Sequence, residues 1–270
     1  MKKIILTAAL SVATLGAVQA QKINLGKAVN AVSKGAQALT FSNEDAKKLS
    51  KESVDWMDAH NPVADKKSAY TKRLHRLFDK HKNEDGMELN YKVYEVVDIN
   101  AFACADGSVR VFSSLMDLMT DNELLAIIGH EIGHVKNEDT KDAIKAAYTR
   151  AAVQEAGAAA SGVVRKLSET ELGEMANAML DAKHSKKQES QADEYSYNFM
   201  KKHGYDVVAV YTAFKKLALL SSGEKQSNFQ KMMSSHPDSD KRAEAAKKRA
   251  IKDGLWKEPG EVTLPTTPIK

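Results

Sequence analysis

Two histidines four residues apart flank a glutamate in the stretch His130-Glu131-Ile132-Gly133-His134. On a helix, residues i and i+4 share a face, so both imidazoles point the same way. Two such imidazoles can hold a zinc ion at roughly 2.0–2.1 Å from each ring nitrogen. Glu131 then sits beside the metal without binding it, where it can take a proton from an attacking water. The chemistry implied is hydrolysis of a carbonyl bond such as a peptide.

A catalytic zinc needs a third protein ligand and one open position. A metzincin would place a histidine six residues after His134 and a glycine three after it. Those positions hold Thr140 and Asn137, which excludes that class. The alternative is a glutamate on a later helix, and Glu189-Ser190-Gln191-Ala192-Asp193 supplies one. Glu189 and Asp193 again share a helical face. Glu189 can bind the metal while Asp193 accepts a hydrogen bond from the free nitrogen of a ligand histidine, which fixes its tautomer. Further on, Pro237 disfavours helix at His236 and holds that histidine on a turn, with Arg242 one turn into the next helix. Cys104 is the sole cysteine, so no internal disulfide is expected; it reads as a half-buried strand position.

These groups must be positioned by the elements around them. Thr120 followed by Glu123 is a capping box, and Leu124, Leu125, Ile127, Ile128, Ile132 and Val135 recur at helical spacing, predicting a helix within 120–137. Gly129 and Gly133 would let a neighbour pack closely. Upstream, 91–97, 99–104 and 108–112 are rich in β-formers, with an Asp106-Gly107 hairpin signal between the last two. A small sheet therefore precedes the histidine helix, and an extended substrate could pair with its edge. Helices are predicted over 22–40, 42–58, 65–82, 168–180, 185–203, 207–220 and 239–252. Gly204 stops the 185–203 helix. Tyr70, Leu74, Leu77 and Phe78 form the apolar side of the 65–82 helix, whereas His60, His75 and His81 read as surface histidines. The alanine-rich stretch 141–180 joins the two ligand-bearing helices and is expected to lie over the cleft.

The chain has 270 residues, 43% hydrophobic and 28% charged, with a formal charge of +4. This suits one globular domain, and without residues 1–20 the remainder is close to neutral, so no nucleic-acid partner is expected. Residues 1–20 read as a secretory signal: Lys2 and Lys3, then an apolar run, then Val18 and Ala20 at a cleavage site after Ala20. The expected organisation is a signal peptide at 1–20, a helical region at 21–87, a metallopeptidase domain at 88–258 and an extended or disordered tail at 259–270. The fold class is α+β, mostly helical, with a small sheet beside the histidine helix.

Taken together, the His130–His134 motif, Glu189 with Asp193, and Ser235-His236-Pro237 with Arg242 resemble metallopeptidase family 48, the gluzincins that include HtpX and the CAAX prenyl proteases. Asn100-Ala101-Phe102-Ala103 resembles the family's substrate-binding edge strand, and Gly204-Tyr205-Asp206 its segment after the second ligand helix. The exported form without membrane helices is most similar to the periplasmic LoiP- and BepA-like branch. The resemblance implies a zincin-like fold and one zinc per chain, held by His130, His134 and Glu189. It implies Glu131 as the base, with His236 and Arg242 facing the metal. His236 would either occupy the open zinc position as a latch or, with Arg242, stabilise the oxyanion. The resemblance also implies a periplasmic role in protein quality control, with unfolded or misassembled polypeptides as substrates and peripheral association with outer-membrane proteins. A zinc-stabilised chaperone with little proteolytic activity and a small-substrate zinc hydrolase are the competing readings. Retention of Glu131 disfavours the chaperone, since a purely structural metal does not need that carboxylate.

Overall fold

The computed structural model describes residues 41–154, 167–222 and 230–269. The expected signal peptide, the 22–40 helix and the middle of the alanine-rich stretch lie outside them. The described chain runs α1 (Asn43–His60), α2 (Ala69–Phe78), a 3₁₀ turn (Asp79–His81), β1 (Asn83–Glu84), β2 (Met87–Glu88), β3 (Asn90–Tyr94), β4 (Ala101–Ala103), β5 (Ser108–Phe112) and α3 (Ser113–Leu118). It continues through α4 (Asp121–Lys136), α5 (Asp139–Gln154), α6 (Glu169–Leu180), α7 (Lys186–Lys202), α8 (Val208–Ser222), α9 (Gln230–Ser235) and α10 (Ser239–Lys252). Mostly helical α+β architecture is what the sequence predicts.

The three-stranded sheet has the order β3-β5-β4, with β3 parallel and β4 antiparallel to β5. Alternation along the strands divides its faces. Tyr91, Val93, Val109, Val111, Ala101 and Ala103 join the main core with α4. Tyr94, Phe102 and Phe112 turn the other way onto Val54 and Met57 of α1 and Ala176 of α6. Arg110 lies on that second face and is buried, which is tolerable because Asp58 of α1 binds its Nε at 2.8 Å and its Nη2 at 2.9 Å. The outer edge of β4 has no strand partner among the described residues.

α4 is buried along its length from Glu123 to His134. The capping box forms as predicted, with Thr120 N donating to Glu123 Oε2 at 2.8 Å, and Lys216 Nζ of α8 reaches the same oxygen at 2.6 Å. Arg73 of α2 donates to the carbonyls of Met116 and Met119 just ahead of the helix. Leu74, Leu77 and Phe78 of α2 belong to the main core, so the 41–87 stretch packs directly onto the peptidase elements. The glycines face α7: a Cβ on Gly129 would meet Phe199 at 3.1 Å, and one on Gly133 would meet Ala192 Cα at 3.0 Å. The two helices thus approach nearly backbone to backbone.

Three local expectations are corrected. The 65–82 helix is confined to α2, because Ser68 caps it, accepting from Tyr70 N, and the chain tightens into a 3₁₀ turn after Phe78. His81 is not a surface histidine but 1% exposed, enclosed by Phe78, Phe199, His203 and Tyr205. Cys104 is fully rather than half buried and lies one residue past β4. The tail has no regular secondary structure, and its end is fastened: Ile269 N donates to Asp117 O at 2.9 Å, and Arg73 Nη1 donates to Ile269 O at 2.9 Å.

Candidate active site

The close approach of α4 and α7 brings the separated donors together. His130 Nε2 and His134 Nε2 are 3.0 Å apart. Glu189 Oε1 is 3.3 Å from His134 Nε2, and Oε2 is 3.7 Å from His130 Nε2. His236, on the turn between α9 and α10, places Nδ1 3.2 Å from His130 Nε2 and 3.0 Å from Glu189 Oε1. These four residues each offer a ligand atom within 4.8 Å of the others, and all four are buried.

The outer nitrogens of both helix histidines face carboxylates. His130 Nδ1 is 2.9 Å from Asp193 Oδ1, as the spacing predicted, and His134 Nδ1 is 2.9 Å from Asp139 Oδ2. Donation to those carboxylates leaves each Nε2 with a lone pair directed into the cluster. Two facing lone pairs, a carboxylate and a further ring nitrogen suit a cation. Glu189 Oε2 is buried without a hydrogen bond, held only by its ion pair with Arg242 Nη1 2.8 Å away. The residues present therefore fit a bound metal ion.

Electrostatics agree. Burial pulls His134 down, but its bonds to Asp139 and Glu189 outweigh this and lift it to about 9, so its surroundings attract positive charge. Burial, with Arg242 nearby, pushes His130 down to about 3 and keeps it neutral. Burial alone would raise Glu189, yet His134 and His236 hold it well below the usual carboxylate range. Burial raises Glu131 above the ordinary glutamate value.

Arg242 packs against the ligands themselves. Its Nη2 binds Asp193 Oδ1 at 2.6 Å, its Nη1 contacts Glu189, and its guanidinium stacks over Phe214 at 4.1 Å. Arg242 thereby positions Glu189 and Asp193. Glu131 and His236, by contrast, line the cleft, with Glu131 Oε1 3.8 Å from His236 Nε2. Asn100, Ala101, Phe102 and Ala103 form one wall. Thr140, Ala143 and Ile144 of α5, with Met179 and Leu180 of α6, also line the cleft, so the described parts of the alanine-rich stretch do border it.

Sequence reasoning missed Asp139 as the partner of His134. His184, held in reserve as an alternative third ligand, stacks its ring on His134 with centroids 3.8 Å apart. The signal for Asp139 was an acidic residue five places after the second histidine.

The model of peptidase family M48 matches residues 68–250. The chain belongs to peptidase family M48. Like other members it is a metalloendopeptidase, and its donor set is the one such an enzyme requires. It is 39% identical over 249 residues to metalloprotease YcaL of Escherichia coli strain K12, covering 92% of this chain and 96% of that protein. It is 37% identical over 256 residues to metalloprotease LoiP of the same strain, covering 94% of this chain and 100% of that protein. A shorter match, 36% over 72 residues, joins 25% of the chain to 28% of a protease HtpX homolog of Methanothermobacter thermautotrophicus. No helix among the described residues of this M48 peptidase is long and apolar enough to cross a membrane.

Proposed function

We propose that the chain is an exported zinc endopeptidase acting on unfolded or misassembled polypeptides of the cell envelope. The observation that carries the zinc assignment is the convergence of His130 Nε2, His134 Nε2 and Glu189, with both outer imidazole nitrogens tied to carboxylates. When bound, zinc would supply a Lewis acid for the scissile carbonyl and make an attacking water more acidic.

The chain's own groups supply the rest. Glu131 lines the cleft beside the donors and accepts the proton of the attacking water; its raised affinity for a proton suits it to pass that proton on to the leaving amine. The free edge of β4 offers Ala101–Ala103 to an extended backbone, which favours a polypeptide over a small substrate. Asp139 and Asp193 hold the two imidazoles in one tautomer, and Arg242 holds Glu189.

The cleft encloses only about 40 Å³ of free space, room for a few waters. Export and a periplasmic location rest on the signal-like residues 1–20. Peripheral association with outer-membrane proteins belongs to the same reading. The test is digestion of unfolded casein by wild type, with and without a chelator, beside Glu131→Gln. Cleavage should stop in the chelated sample and in the variant, which should retain its metal. A variant that cleaves at the wild-type rate would overturn the mechanism, and a wild type that binds unfolded casein without cutting it would point to the chaperone.

A further inference from the structure

A second group of metal-binding side chains lies outside the cleft. His81 closes the 3₁₀ turn after α2, Glu84 ends β1, and His203 follows α7; each offers a ligand atom within 4.8 Å of the other two. None lines the active-site cleft. His81 Nδ1 is 3.2 Å from Glu84 Oε2, and His203 Nε2 is 3.0 Å from the same oxygen. His81 is 1% and Glu84 3% exposed, so two of the three are held rigidly before any ion arrives. We propose that His81, Glu84 and His203 form a second site for a borderline divalent transition-metal ion, of which zinc is the natural test.

Three features support a metal site over a simple hydrogen-bonded cluster. The far nitrogen of His81, Nε2, lies 2.6 Å from Tyr205 Oη. Donation to that oxygen leaves Nδ1 with its lone pair toward Glu84 and His203, the arrangement by which ligand imidazoles are oriented. Burial keeps His81 below the ordinary histidine value and so unprotonated at neutral pH. The His203 and Lys202 side chains, 26% and 52% exposed, give the cluster a solvent side through which an ion can enter.

Lys202 is the competing cation. Its Nζ is 2.6 Å from Glu84 Oε1 and 2.9 Å from Asp85 Oδ1. Being exposed, it can swing into water when an ion takes its place, still near enough to Asp85 to remain paired. The site would tie the β1–β2 hairpin to the end of α7, the helix that carries Glu189 and Asp193.

The experiment is equilibrium dialysis of the full chain against zinc, followed by elemental analysis, for wild type, His203→Ala and Lys202→Met. Circular dichroism of each variant without added metal confirms that it is folded. Wild type should hold one more equivalent of zinc than His203→Ala. Lys202→Met should retain that equivalent and bind it on the order of tenfold more tightly, because a like charge has been removed. Glu189→Ala, which alters the other site, should lose a different equivalent and keep this one. Equal zinc content in wild type and His203→Ala, or no tightening in Lys202→Met, overturns the proposal.

Discussion

Asp139 Oδ2 lies 2.9 Å from Nδ1 of His134, five residues earlier, across a turn that carries Glu138 at φ 61°. The left-handed residue bends the chain back so that the first residue of α5 fixes a ring on α4. Asp139→Ala should therefore lower zinc affinity by about 10- to 100-fold, as loss of an orienting partner does elsewhere. Competition with a fluorescent chelator measures it; unchanged affinity would leave Asp139 with only a helix-start role.

Glu189→Ala should empty the site more severely than Asp193→Ala, since the first removes a donor and the second only its neighbour's partner. Metal analysis of the two purified variants decides the order. Full zinc content in Glu189→Ala would move the third ligand to His236 or His184.

His236 Nδ1 already lies among the donors, 3.0 Å from Glu189 Oε1, which favours the latch over the oxyanion role. His236→Ala should then raise turnover of unfolded casein while zinc affinity changes little. A fall of about 10²–10³ in turnover would instead assign His236 to transition-state stabilisation.

Gly133→Val should destabilise the fold by about 1–3 kcal/mol, because the new side chain meets backbone rather than a movable side chain: Ala192 Cα and O stand 3.0 and 3.1 Å from a built Cβ. Pushing α7 away also carries Glu189 off, so zinc affinity should fall in parallel. Urea unfolding and metal binding, measured on the same sample, should move together.

Acid stability has a source far from the cleft. Burial would raise Asp58, but Arg110, Lys92 and Tyr94 outweigh it and hold its carboxyl at about 2. Because the folded value lies below the unfolded one, this group stabilises above about pH 4 and loses its contribution as pH falls from there toward 2. The contribution is about 2 kcal/mol at neutral pH. Asp58→Asn should flatten that acid limb and also leave Arg110 buried and unpaired, costing about 3–5 kcal/mol at pH 7. Urea midpoints between pH 7 and 3 test both parts; parallel curves for wild type and variant would refute the assignment.

The catalytic helix, Glu189 and Asp193 were legible in the sequence because helical periodicity converts spacing directly into a shared face. The β4–β5 hairpin was legible from Asp106-Gly107. The β1–β2 hairpin was not, although Asp85-Gly86 carries the same signal, because strands of two residues show no alternation to read. The burial of His81 depends on Phe199, His203 and Tyr205, more than a hundred residues away, and no local pattern encodes it. Arg242 was recognised as a member of the site, but its direction followed from Asp193 and Phe214, partners that only the packing of α7, α8 and α10 supplies.

The donors come from three segments far apart along the chain: His130 and His236 meet across 106 positions. Until the segment holding Glu189 has been made and has folded back, Glu131 has no complete set of ligands beside it. A chain interrupted before that point would carry the hydrolytic base without the means to use it. The newly made chain thus acquires its hydrolytic centre only once α7 has packed against α4.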